Sequence, residues 1–175
     1  MSRRTAGATA LAIAYLGTIV AANWTISRFG AVPVGFGLLA PAGVYFAGLA
    51  FTLRDLLHAA SGRLAVVAAI AAGAALSFAV AGPHLAVASA AAFGLSELAD
   101  FAVYEPLHRR RWLLAVAASN VVGLVADSAL FLWLAFGSFA FLPGQIVGKA
   151  WMTALAVIAL AAGRAVIRRR RVVSA

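Results

Sequence analysis

The chain has 175 residues, 65% of them hydrophobic and 11% charged, with a mean hydropathy of +1.01. No soluble domain of that length has interior enough for so much apolar side chain, so the bilayer is the expected solvent. The net charge of +9 sits at the ends of apolar blocks, where topology and anionic lipid explain it better than nucleic acid, and the lack of cysteine excludes disulfides, thiolate chemistry and Cys-based metal sites.

A helical span needs roughly 20 apolar residues, and six of them fill the chain as one transmembrane domain, 1–175. Span 1 covers 6–27. Arg3 and Arg4 precede it, as they would a signal peptide, but the apolar run is long for one. Span 2 is expected over 34–57 and begins oddly, with Pro33, Gly35, Gly37, Pro41 and Gly43 close together. Such a stretch reads either as irregular backbone lining a cavity or as a kinked helix packed through small residues. Spans 3 and 4, over 64–81 and 85–104, are joined by a tight turn at Gly82, Pro83 and His84. Span 5 covers 112–136 and span 6 covers 143–167.

The arginines orient this zigzag. Arg3 and Arg4, Arg54 and Arg63, Arg109 to Arg111, and Arg164 with Arg168 to Arg171 all fall on one side. Short loops rich in Lys and Arg stay in the cytoplasm, so both termini are expected inside a multi-pass protein of the cytoplasmic membrane. Arg28 falls on the other side, and Lys149 lies within an apolar block.

Ionisable groups inside spans are rare and costly, and each is a functional candidate. Glu97 and Asp100 stand at i and i+3 on span 4, ~4 and ~8 Å inward of its middle. Asn120 and Asp127 share a face of span 5, and Lys149 follows Gln145 by one turn on span 6. Asn23 and Trp24 end span 1. Two polar layers result: an outer one of Asn23, Trp24, Asp127, Gln145 and Lys149, and an inner one of Arg54, Asp55, Glu97 and Asp100. The bland reading of Asp127 with Lys149 is an ion pair that only fixes packing. Arg54 with Asp55 reads better as an interfacial anchor than as a ligand group. Trp112 and Trp133 suit an aromatic belt, as does Trp24. His58, His84 and His108 look too scattered in depth for a metal triad.

No His lies within a span, and no His-Glu-x-x-His or Gly-x-Ser-x-Gly motif occurs, so an enzyme is not expected. Charges of mixed sign do not suit the like-charged rings of a channel. A carrier for a small solute fits the intramembrane carboxylates, amides, lysine and aromatics.

Phe93-Gly94-Leu95-Ser96-Glu97-Leu98-Ala99-Asp100, the loop ending Arg111-Trp112, Ser119-Asn120 and Ala126-Asp127-Ser128-Ala129-Leu130-Phe131 resemble the VUT family. The likeness continues through Gln145 and Lys149-Ala150-Trp151-Met152. It is fainter at Ala22-Asn23-Trp24 and Phe51-Thr52-Leu53-Arg54-Asp55. The resemblance implies a six-span, all-α importer of queuosine precursors, 7-cyano- or 7-aminomethyl-7-deazaguanine. Asp100, Asp127 and Lys149 match the family's intramembrane charges. Glu97 stands where members often carry Gln, and Arg54 precedes its acid rather than following one. In helix count the family also resembles the substrate-binding components of energy-coupling-factor vitamin transporters, which need a separate ATP-driven module.

A guanine-like edge offers two adjacent donors that one carboxylate accepts together, a role open to Glu97 or Asp127. Trp24, Tyr45, Phe131 or Trp151 would supply an aromatic face. The expected substrate site is therefore Asn23, Trp24, Tyr45, Glu97, Asp100, Asn120, Asp127 and Lys149, with no catalytic residue, metal or cofactor. The expected partners are a deazaguanine-type molecule and the lipid bilayer, with no nucleic acid. Self-association is left open, as is the choice between proton coupling and facilitated diffusion.

Overall fold

The computed structural model describes residues 3–82 and 85–173; the expected turn at Pro83 and His84 lies outside them. Among the described residues there are six helices: α1 (Arg3–Phe29), α2 (Val44–Ser61), α3 (Arg63–Val80), α4 (Ala86–Leu107), α5 (Trp112–Phe136) and α6 (Leu142–Val173). Five of them, all but α2, are long and apolar enough to cross a membrane. The protein is an all-α polytopic membrane protein. Its exposed large side chains, Ile13, Leu64, Val87, Leu155 and Ile158 among them, form a lipid-facing surface rather than the isolated exposures of a soluble fold.

α2 is the exception because of its position. It packs against all five other helices and fills the gap between α1 and α6, while α1, α3, α4, α5 and α6 follow one another around it. Shielded from lipid by its neighbours, it tolerates Arg54, Asp55 and His58, all buried. Close approach is built in: a Cβ at Gly48 would lie 3.0 Å from Met152 and 3.1 Å from the Lys149 backbone on α6. Gly62, at φ +81°, ends α2 and lets α3 begin at the next residue.

The segment expected to open span 2 is not helical. It forms a hairpin of β1 (Ala31–Gly35) and β2 (Leu38–Pro41), antiparallel, with Ala31 opposite Pro41 and an irregularity between Pro33 and Gly35. The apolar run at Val34, Leu38 and Leu39 mimics a helix by hydropathy. Pro33, Gly35, Gly37 and Pro41 punctuate it at positions where a helix cannot continue. The turn residues Phe36 and Gly37 both take positive φ, 54° and 73°, as a two-residue hairpin turn demands. The strained Phe36 stacks on Trp151 of α6, centroids 6.3 Å apart. Trp151 Nε1 donates to the Val34 carbonyl at 3.2 Å, so one side chain clips the hairpin to α6. Val34, Ala40 and Val44 then make a small core with Leu38, Tyr45 and Val147.

A candidate solute cavity and a buried charge cluster

One cavity draws on all six helices, on the late part of α1, α3 and α5 and the early part of α2, α4 and α6. The helices therefore alternate in direction, and the cavity lies in the half of the bundle that carries the hairpin. It measures about 70 Å³ as room for the centre of a water molecule, enough for several waters.

Its polar wall is built by helix periodicity. On α6, Gln145 and Lys149 lie one turn apart and face inward, 3% and 1% exposed. On α5, Asp127 and Phe131 have the same spacing and share the wall. Lys149 Nζ donates to Asp127 Oδ2 and, at 2.9 Å, to Ser128 Oγ. Ser96 of α4 donates to the other Asp127 oxygen at 3.4 Å. The ion pair is thus charge-balanced and braced by two hydroxyls. Asn23 lines the cavity while its amide donates to the Ile19 carbonyl at 3.0 Å. Phe46, Phe93 and Phe131 provide apolar ring surface, and Thr18, Ser77 and Ser89 add hydroxyls.

A second cluster lies deeper, on the side away from the hairpin. Arg54 is wholly buried and meets three carboxylates: Asp55 at 2.8 Å, Glu97 at 3.1 Å and Asp100 in a close contact. Its guanidinium carbon also stands 5.6 Å from the Tyr104 ring centre and 6.0 Å from that of Phe101. The interfacial-anchor reading of Arg54 and Asp55 is therefore corrected. α2 is central, so a residue near its end points into protein rather than towards a headgroup. Asn120 donates to Thr52 at 3.0 Å and ties α5 to α2 just beside this cluster.

Of the expected site residues, the structure brings Asn23, Asp127 and Lys149 to the cavity, with Gln145. Glu97, Asp100 and Asn120 are fully buried and do not line it. Trp24 is 60% exposed and packs edge-on against Phe29, on the outer face of α1. Tyr45 packs into the hairpin core, its hydroxyl 3.5 Å from the Pro33 carbonyl. Trp151 is spent on the hairpin. The ring faces that do reach the cavity include Phe46 and Phe93, which sequence reasoning passed over. Phe93 was legible, because it stands one turn after Ser89 and just before Ser96 on the face that carries both.

The histidines also differ from expectation. α2 and α4 run in the same direction, so their ends meet, and His58, Glu105 and His108 gather there with potential ligand atoms within 4.8 Å of one another. His58 Nε2 lies 2.7 Å from Glu105 Oε2, and the His58 ring packs at 4.7 Å on His108 and 5.1 Å on Tyr104. Among the described residues this trio comes nearest to a metal-ligand geometry. His84 lies outside the described residues.

A family model described as "Putative vitamin uptake transporter" matches residues 77–165, about half of the chain. The matched part holds α4, α5 and most of α6, and with them Glu97, Asp100, Asp127, Gln145 and Lys149. No curated protein matches the chain, and no solved structure does.

Proposed function

The chain belongs to that vitamin uptake transporter family, and from this premise we propose that it imports a deazaguanine-type queuosine precursor across the cytoplasmic membrane. One observation carries the reading. The cavity combines a carboxylate, an ammonium, two amides, three hydroxyls and three phenyl rings in a space otherwise lined by small and aliphatic residues. That mixture suits a flat, polar-edged heterocycle. Asp127 accepts the paired N–H and NH2 donors of a guanine-like edge as a charge-assisted, two-point contact. Lys149 donates to the ring carbonyl on the adjacent edge. Gln145 and Asn23 supply the remaining polar contacts, and Phe46, Phe93 and Phe131 sandwich the ring. The ion pair between Asp127 and Lys149 opens on binding and exchanges one partner for another at little net cost in charge. By the rule that short loops rich in Lys and Arg stay inside, the hairpin half, which holds the cavity, faces outward on this reading.

The test is uptake of labelled 7-cyano-7-deazaguanine by cells that cannot synthesise it. Expression of the protein restores uptake, and Asp127→Asn and Lys149→Met abolish it while protein levels in the membrane hold. Failure to restore uptake, or variants that behave like the parent, overturns the assignment. Uptake that appears only with a co-expressed ATPase would mark the chain as the binding component of a larger transporter.

A further inference from the structure

The Arg54 cluster does not balance. One guanidinium faces Asp55, Glu97 and Asp100, all fully buried. Three ionised carboxylates would leave two uncompensated negative charges inside a lipid-embedded bundle, a cost that buried groups avoid by taking up protons. The nearest other charges do not help. Asp127 on α5 is neutralised by Lys149 of α6. Tyr15 of α1, beside Glu97, is uncharged in its ordinary form. The one charged residue of α3 is Arg63 at its first position. A metal cation finds no room at the centre, because the guanidinium already stands among the carboxylates. Each acid instead keeps a second buried oxygen outside its contact with the guanidinium, Asp55 Oδ2, Glu97 Oε1 and Asp100 Oδ2, with Ser119 beside Asp55 and the Tyr15 hydroxyl beside Glu97. Asp100 Oδ2 abuts Gly123, where a Cβ would come within 2.7 Å.

A polar track leads away from the cluster in both directions. Towards the cavity, Ser96 precedes Glu97 in the chain and binds Asp127. Towards the other end, His58 stands one turn beyond Asp55 on α2, its Nδ1 buried and its Nε2 2.7 Å from Glu105 Oε2. Tyr104 bridges the two, its hydroxyl 3.4 Å from the Asp55 carbonyl and its ring against His58. His108 leads on to the basic loop, its Nδ1 2.7 Å from the Glu105 carbonyl.

We infer that the Arg54 cluster is a proton store, holding protons on its carboxylates at neutral pH, and that His58, Glu105 and His108 form its exit to the cytoplasm. The O–H bond of a cluster carboxyl breaks, its proton is taken up by an imidazole nitrogen of His58, and His58 passes a proton on to Glu105 and water. The carboxylate left behind stays paired with Arg54. The importer reading is needed only to give these protons a use, which is to couple their inward flow to that of solute; their presence stands apart from it.

The chain has only five acidic residues, so its carboxyl groups can be counted directly. The experiment is infrared spectroscopy of the full protein in lipid bilayers at neutral pH, in light and heavy water. A protonated-carboxyl C=O band that shifts in heavy water is expected, and Asp55→Asn, Glu97→Gln or Asp100→Asn each changes it. His58→Gln leaves the band in place and slows its decay after a jump to alkaline pH. A spectrum with every carboxyl ionised overturns the store, even if no variant folds, because the unaltered protein decides it. A band that survives all three cluster substitutions, or a decay indifferent to His58, overturns the assignment of store or exit. Absence of deazaguanine uptake with the band present removes the importer reading and leaves the store standing.

Discussion

Two buried charge groups stand a few turns apart in this bundle, and they are built differently. Lys149 and Asp127 form a one-to-one pair, edged by Ser96 and Ser128, at the wall of a cavity. Arg54 instead sits amid three acids in a sealed interior. The balanced pair can open for a ligand and close again without a change in net charge. The unbalanced cluster cannot part with its cation, but it can gain or lose protons. Under the proposed roles the difference separates recognition from energetics, and α4 links the two groups, since its neighbours Ser96 and Glu97 reach Asp127 and Arg54.

Substitutions can break or sharpen this contrast. The largest effect is expected from Arg54→Leu, which strands three buried acids. Removal of one partner from a buried ionic group costs about 3–5 kcal/mol, so a steep fall in thermal stability in detergent, or failure to accumulate in the membrane, is the outcome. A stability equal to the parent's would mean that the acids are already neutral without the guanidinium. Next comes Lys149→Met paired with Asp127→Asn. Each alone destabilises, but the double variant regains much of the loss, because replacing both members of a buried pair is often close to neutral. Uptake stays abolished in the double variant, and recovery of transport along with stability would reduce the pair to a packing device.

A smaller effect is expected at Gly123, where a Cβ would come 2.7 Å from Asp100 and 2.9 Å from Phe51. Gly123→Ala overpacks the join of α4, α5 and α2 at a cost of about 1–3 kcal/mol, read as a lower unfolding temperature, with the carboxyl infrared band displaced and the cavity untouched. Least of all is expected from Trp24→Leu on the outer face of α1. Stability should stay within about 0.5 kcal/mol, and uptake should match the parent. A transport defect there would show that the ring reaches solute in another state of the carrier.

Much of this was legible in the chain. Span 5 was read at its observed bounds, since α5 is a long apolar run broken only by a few polar residues, starts after the basic loop at Arg111 and ends at Gly137 in a left-handed conformation. Asp127, Gln145 and Lys149 stood out because helical spacing places them on inward faces whatever the neighbours are. The hairpin was misread because hydropathy cannot tell an apolar strand pair from a helix, and only the Pro and Gly spacing carried the distinction. Arg54 was placed at the interface because depth along a helix says nothing of which helix stands in the middle.

Hydropathy and charge alone determine that this is a multi-helix membrane protein with a handful of costly polar residues, since transfer to lipid is a local property of each segment. Partnership between those residues is not local. That Arg54 gathers Asp55, Glu97 and Asp100, that Lys149 takes Asp127, and that His58 meets Glu105 depend on α2 occupying the centre of the bundle and running alongside α4. Only the packing of helices against one another decides which buried charges are balanced and which are not.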